Sequence, residues 1–338
     1  MNIALHSSDL FAPMLSSSII SVLENNKGAK IISIYVIEHG ITSEHRQMIH
    51  DMVAKYPNAN LTFIPMPDIN KKYGLGLKSI KSIWLFDSYC RLFLGSILPQ
   101  EVERVLYLDC DTLCVGSLAS MYHTDLGDNP CAGVADCLGE KYYELFGMSK
   151  SSRYCNSGII LFDLKKWREQ KIELALINYV RKEKGYIFFM EQSVWNIVLQ
   201  DRIKILHPRN NTYTLMVAFT YKNLQQLRKC KRFYSHEEIE EAIANPTLIH
   251  LTNCFYILGR AWTKGNKHPY HKLYLKYKAL TPWKDDVLLE DKTSWMRKAL
   301  VPILHMLPQV FVCQIVGWVY NIWRPLHIKK SMLKNKMR

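Results

Sequence analysis

The sequence predicts an α/β fold: a mainly parallel sheet covered by helices, followed by a basic, aromatic helical tail. Three observations predict it. Short β-rich apolar runs alternate with stretches of helical periodicity, which is the pattern of strand–helix–strand units. Several runs are continuously apolar, as strands buried on both faces must be. From about Thr281 the alternation stops and the composition changes.

"NIALHS" (2–7) reads as the first strand, since the start has neither a basic segment nor an apolar signal core before it. Leu15–Leu23 carries apolar residues at helical spacing, "KIISIYVIE" (30–38) is a second strand, and Ser43–Tyr56 a second helix. "NLTFIPM" (60–66), "RVLYLD" (104–109) and "SGIILFDL" (157–164) are further strands. In such folds ligands bind beyond the carboxyl ends of the strands. The first run ends in "HSSD" and the fourth in "DCDT", so both deliver polar groups to that edge. "GLGLKS" (74–79) is glycine-rich but lacks phosphate-loop spacing, and is read as a loop. The domain boundary is set near 285, giving residues 1–285 as an α/β domain and 286–338 as the tail.

A net charge of +14 raises nucleic-acid binding as a function. Nine of those charges, with no Asp or Glu, lie from Lys292 onward, so the first 291 residues carry only +5. The basicity belongs to the tail, and no nucleic-acid reader motif is present, so that class is set aside. Nine scattered cysteines without paired spacing predict buried free thiols in a reducing compartment.

Asp109-Cys110-Asp111 ends an apolar run with two carboxylates, which are costly to bury unpartnered. In a continuing strand both would share one face; a turn would instead converge them on one point. Either arrangement makes an oxygen site for Mg²⁺ or Mn²⁺. For a motif this short and common, taken alone, the bland account, one Asp capping and the other meeting an Arg, is the better one.

The strand, the DxD and several other segments together resemble family 8 retaining glycosyltransferases of the GT-A (Rossmann-like) fold. That group includes bacterial lipopolysaccharide galactosyl- and glucosyltransferases and glycogenin. The resemblance runs from the N-terminus to about Trp283, and it implies a role for each matching segment. "NIALHSSDLFAPML" is similar to the opening strand and uridine loop, so His6, Ser7, Ser8 and Asp9 contact the donor nucleotide, with Ser8 where an acidic residue is common. "SYCRLFLGSILP" (88–99) brings Arg91 toward the diphosphate or donor sugar. "YLDCDTLCVGSL" supplies metal ligands Asp109 and Asp111 and a donor contact at Cys110. "YCNSGIILFDL" places Asn156 and Ser157 in the sugar pocket, and "FMEQSVWN" sets Glu191 and Gln192 at the anomeric centre. Ser193 stands where the family has a carboxylate, which makes a covalent glycosyl intermediate less expected and raises a catalytically silent scaffold as an alternative. "PTLIHLTN" delivers His250 as third ligand, favouring Mn²⁺ with Mg²⁺ as substitute. Arg260, ahead of Trp262, replaces the family's diphosphate lysine, with Lys264 and Lys267 in reserve.

The implied activity is transfer of galactose or glucose from a UDP-sugar to a glycan or lipid-linked acceptor such as lipopolysaccharide or capsule. The implied location is cytoplasmic, on the inner face of the membrane. The tail's "ALVPILHMLPQVFVCQIVGWVYNIW" (299–323) can be a spanning, interfacial or packed helix. Its prolines and Gln residues make a poor span, while Trp318, Tyr320 and Trp323 before Arg324, Lys329 and Lys330 suit an anionic membrane surface.

Overall fold

The computed structural model describes residues 1–77 and 87–336, with side chains through Ser331. Lys78 and Ser79 of the glycine-rich stretch lie outside the described residues. The part of it before them is a loop in which Gly74 and Gly76 take positive φ of 54° and 61°.

Among the described residues, ten strands form two sheets. They are β1 (Asn2–Ser8), β2 (Ile32–His39), β3 (Ala59–Pro65), β4 (Arg104–Asp109), β5 (Thr112–Cys114), β6 (Cys131–Ala135), β7 (Cys155–Asp163), β8 (Ile203–Ile205), β9 (Thr212–Tyr213) and β10 (Leu248–His250). The main sheet runs β3-β2-β1-β4-β7-β6-β8, and β5-β10-β9 form a small second sheet. β1, β2, β3 and β4 are mutually parallel, while β7 runs antiparallel to both β4 and β6. The sheet is therefore mainly parallel and mixed.

Alternation along the central strands divides the interior. Ile3, Leu5, Leu106 and Leu108 enter one core layer, Ala4, Val105 and Tyr107 the other. The two sequence-read helices are present as α1 (Ala12–Asn25) and α2 (Ser43–Val53). Pro13 opens α1, where its missing N–H costs nothing. Thr42 caps α2 by accepting from His45 N–H.

The tail is three helices, Trp295–Met306, Gln309–Trp318 and Arg324–Lys336, with a short π-helical stretch, Val319–Trp323, joining the last two. The break before Pro308 interrupts the apolar run, and among the described residues no helix is long and apolar enough to cross a membrane. That removes the spanning alternative. The inner face of the tail packs on the catalytic domain: Val312 and Cys313 enter the large core, and Asn321 donates to the Leu227 carbonyl at 2.9 Å. The outer face leaves Trp295, Met306, Phe311, Ile315, Trp318 and Trp323 more than half exposed. Packing and an outward apolar face, alternatives in the sequence, are two sides of one segment.

Candidate active site

The carboxyl ends of β1, β4 and β10 and the amino end of the antiparallel β7 meet at one place because of how these strands are paired. β4 stops at Asp109, and residues 110 and 111 turn before β5 begins. Thr112 closes the turn by donating to the Asp109 carbonyl at 2.8 Å. The turn, not a continuing strand, is thus the geometry found. β5 pairs antiparallel with β10, setting His250 opposite Thr112.

One ligand atom from each of Asp109, Asp111 and His250 lies within 4.8 Å of the others. His250 Nε2 is 3.1 Å from Asp111 Oδ1 and 3.7 Å from Asp109 Oδ2. His250 Nδ1 is buried without a hydrogen-bond partner among the described residues. Gly158 is what lets these two side chains come so close to β7: a Cβ there would lie 2.1 Å from His250 Cε1 and 2.8 Å from Asp109 Oδ2. Two hard carboxylates, an imidazole with an unsatisfied nitrogen and a glycine-made cradle fit a divalent cation such as Mn²⁺.

Each carboxylate also meets an arginine. Arg91 is buried rather than at the surface, and it straddles Asp109, with Nη2 2.8 Å from Oδ1 and Nη1 donating to Oδ2 at 3.2 Å. Nη1 donates as well to the Ser157 carbonyl at 2.7 Å, and the guanidinium lies over the Tyr107 ring. Burial opposes its charge, but Asp109, Tyr107 and Glu191 outweigh that and hold Arg91 well above its usual value. Arg260 Nη2 donates to Asp111 Oδ2 at 2.8 Å while its guanidinium rests on Trp262. Burial pushes the Asp111 carboxyl up, yet His250 and Arg260 prevail and bring it down to about 2. Lys264 turns away to Glu290.

The other side of the pocket is built by β7 and the helix Met190–Leu199. Asn156 Oδ1 accepts from Gly158 N–H and from Asn211, both at 3.0 Å. Ser157 N–H donates to Gln192 Oε1 at 3.1 Å, and Gln192 Nε2 donates to Asp136 Oδ2 at 3.0 Å. Both ends of the Gln192 amide are therefore committed. Glu191 accepts from Ser88 Oγ at 2.8 Å and lies 3.9 Å from Arg91. Ser193 is fully buried and shares a hydrogen bond with the Tyr154 hydroxyl at 3.0 Å.

At the β1 exit, Ser8 Oγ and His6 Nε2 are buried without hydrogen-bond partners among the described residues. His6 Nε2 faces Asp87 at 4.0 Å. Burial, with Arg91 and His39 adding, lowers His6 to about 3, so the ring is neutral. Ser7 Oγ donates to the Ser8 carbonyl. Asp9 Oδ1 is engaged by Thr42 N–H and His45, tying this loop to α2. Cys110 lies between the two aspartates, its thiol pushed up by burial.

Sequence reasoning misses Asp136, although "CAGVAD" ends a strand in a carboxylate just as "RVLYLD" does. It also takes Tyr107 only as a strand residue, whereas the Tyr107 hydroxyl donates to Asp109 Oδ1 at 3.0 Å.

A family profile described as "Glycosyl transferase family 8" matches residues 2–253. General stress protein A of Bacillus subtilis (strain 168) is 23% identical over 287 residues, spanning 84% of this chain and 94% of its own length. The lipopolysaccharide 1,2-glucosyltransferase of Escherichia coli (strain K12) is 26% identical, over 80% of this chain and 75% of its own. Among solved structures, galactosyltransferase LgtC in complex with donor and acceptor sugar analogues aligns with a TM-score of 0.67 at 21% identity. The alignment covers 84% of this chain and 99% of that one, a likeness of fold.

Proposed function

We propose, given that the chain belongs to glycosyl transferase family 8, that it moves galactose or glucose from a UDP-sugar to a glycan or lipid-linked acceptor, with retention and with Mn²⁺ as cofactor. The observation that carries this reading is the convergence of Asp109, Asp111 and His250 around the cradle at Gly158. Such a cation supplies Lewis-acid stabilisation of the departing diphosphate. Arg260 adds a bidentate grip on the same phosphates, as guanidinium geometry allows. Arg91, held by Asp109 and Ser157, faces the donor sugar together with Asn156. His6, Ser7, Ser8 and Asp9, with Cys110 beside them, hold the nucleoside.

Gln192 and Glu191 meet the positive charge that develops on the sugar. The Gln192 carboxamide is tied at both ends and Ser193 is buried under Tyr154, so neither is free to act as a nucleophile. Transfer then proceeds without a protein-bound glycosyl intermediate. Mass-spectrometric trapping of an adduct on either residue would contradict this.

The outer face of the tail rests on an anionic membrane surface, at the cytoplasmic side, beside a lipid-linked acceptor. Its exposed Trp295, Phe311, Trp318 and Trp323 lie on a segment with nine positive charges and no carboxylate after Asp291. Cosedimentation tests this: binding to anionic but not zwitterionic vesicles is expected, and equal recovery with both would refute it.

The activity itself is tested by nucleotide release across a panel of nucleotide sugars with and without Mn²⁺. Mn²⁺-dependent release from UDP-galactose or UDP-glucose is expected, and none from any donor would favour the silent-scaffold alternative.

A further inference from the structure

The segment carrying Glu191 and Gln192 enters its helix through an unfavourable turn. Phe189 and Met190 hold positive φ of 59° and 52°, a region that bulky L-residues occupy only at a cost. Such backbone persists where its surroundings over-determine it, and here part of those surroundings is the C-terminal tail. The Arg324 guanidinium lies 5.2 Å from the Phe188 ring centroid, 5.1 Å from Phe189 and 5.6 Å from Tyr320. Tyr142 ties the tail down: its hydroxyl donates to the Tyr320 carbonyl at 2.8 Å, and its ring lies 5.7 Å from Phe189. Beyond Phe189 the same aromatic cluster reaches Tyr154, whose hydroxyl meets Ser193, the neighbour of Gln192.

From this geometry, and resting on the reading that Glu191 and Gln192 serve the donor sugar, we propose that Tyr320 and Arg324 are positioning residues for catalysis. The tail clamps Phe188 and Phe189, and the clamp holds the left-handed turn that aims Glu191 and Gln192. Loosening it lets residues 189 and 190 relax toward ordinary backbone and rotates the first turn of the helix. The diphosphate contacts sit on β4, β10 and the Arg260 loop, which the clamp does not touch. The effect therefore falls on turnover more than on donor KM. Membrane attachment through the outer face and positioning through the inner face use opposite sides of one segment.

The test uses the full chain and the variants Arg324→Ala, Arg324→Lys and, as a control on the same helix, Leu326→Ala, whose side chain is exposed. Hydrogen–deuterium exchange is read at amides 186–196, alongside kcat and KM for the nucleotide-sugar donor. Arg324→Ala is expected to exchange faster there and to lose about tenfold in kcat with KM changed by no more than about twofold. Arg324→Lys, which keeps the cation, recovers part of the loss, and Leu326→Ala matches the parent. Unchanged exchange overturns the clamp, and faster exchange with parental kcat overturns its catalytic role. If Arg324→Ala loses protection throughout, Tyr142→Phe keeps the ring, deletes the hydroxyl that holds the Tyr320 carbonyl and meets Arg324, and gives the same reading on a smaller scale. Gln192→Ala separates the two failures: parental turnover there refutes the functional reading, while exchange still decides the clamp.

Discussion

Gly158→Ala puts a single methyl group into the space between His250 and Asp109. Its Cβ would sit 2.1 Å from His250 Cε1, 2.7 Å from Nδ1 and 2.8 Å from Asp109 Oδ2, where ordinary contact begins at 3.4 Å. Gly158 is not among the glycines with positive φ, so the conflict is one of space and not of backbone. Its strand cannot retreat, because Ile159, Ile160 and Leu161 beyond it are completely buried. The imidazole must therefore withdraw by roughly 1 Å or more, at a stability cost of about 1–3 kcal/mol. Displacing one of three ligands that far should lower Mn²⁺ affinity by about a hundredfold. Electron paramagnetic resonance of free Mn²⁺ in a titration measures the affinity, and a cooperative thermal transition shows that the variant is folded. A folded Gly158→Ala protein with parental Mn²⁺ affinity would refute the assignment of these side chains to the ion.

Asp109→Asn leaves the buried Arg91 guanidinium without its bidentate partner and should cost about 3 kcal/mol, seen as a lower denaturant midpoint at constant m-value. Arg260→Ala should raise the donor KM about tenfold, and Arg260→Lys should recover only part, because an ammonium is a point charge without the planar fork. His268 is held at about 4 against the usual 6.5, first by burial and then by Arg260. Between those values the unfolded chain binds a proton that the folded chain does not. Stability should therefore fall as pH drops from 6.5 toward 4, by about 3 kcal/mol at most, and His268→Gln should flatten that slope in pH-dependent denaturation.

The long apolar strands and both N-terminal helices can be read from sequence because burial on both faces and helical periodicity leave marks within one short window. Strands β5, β8 and β9 are two or three residues long and carry no such mark; only pairing with β10 or β6 makes them strands. The carboxylate pair is visible as a motif, but its turn depends on Thr112 closing on the Asp109 carbonyl. Arg91 in isolation looks like a surface cation, because the spacing along one chain does not reveal a partner 18 residues away. Asp136 escapes for a similar reason: its meaning comes from Gln192, 56 residues later. For the tail, composition shows what the outer face offers but not that Val312, Cys313 and Asn321 bind it to the domain. Truncation near residue 290 should consequently destabilise the catalytic domain.

Anomalous diffraction at the manganese edge, from crystals grown with Mn²⁺ and an unreactive UDP-hexose analogue, reads the metal and the donor together. One peak is expected within coordinating distance of Asp109, Asp111 and His250, with the diphosphate on its open side and Arg260 turned toward it. A diphosphate bound elsewhere, or a peak that leaves His250 out, would overturn the assignment of this site to the sugar nucleotide.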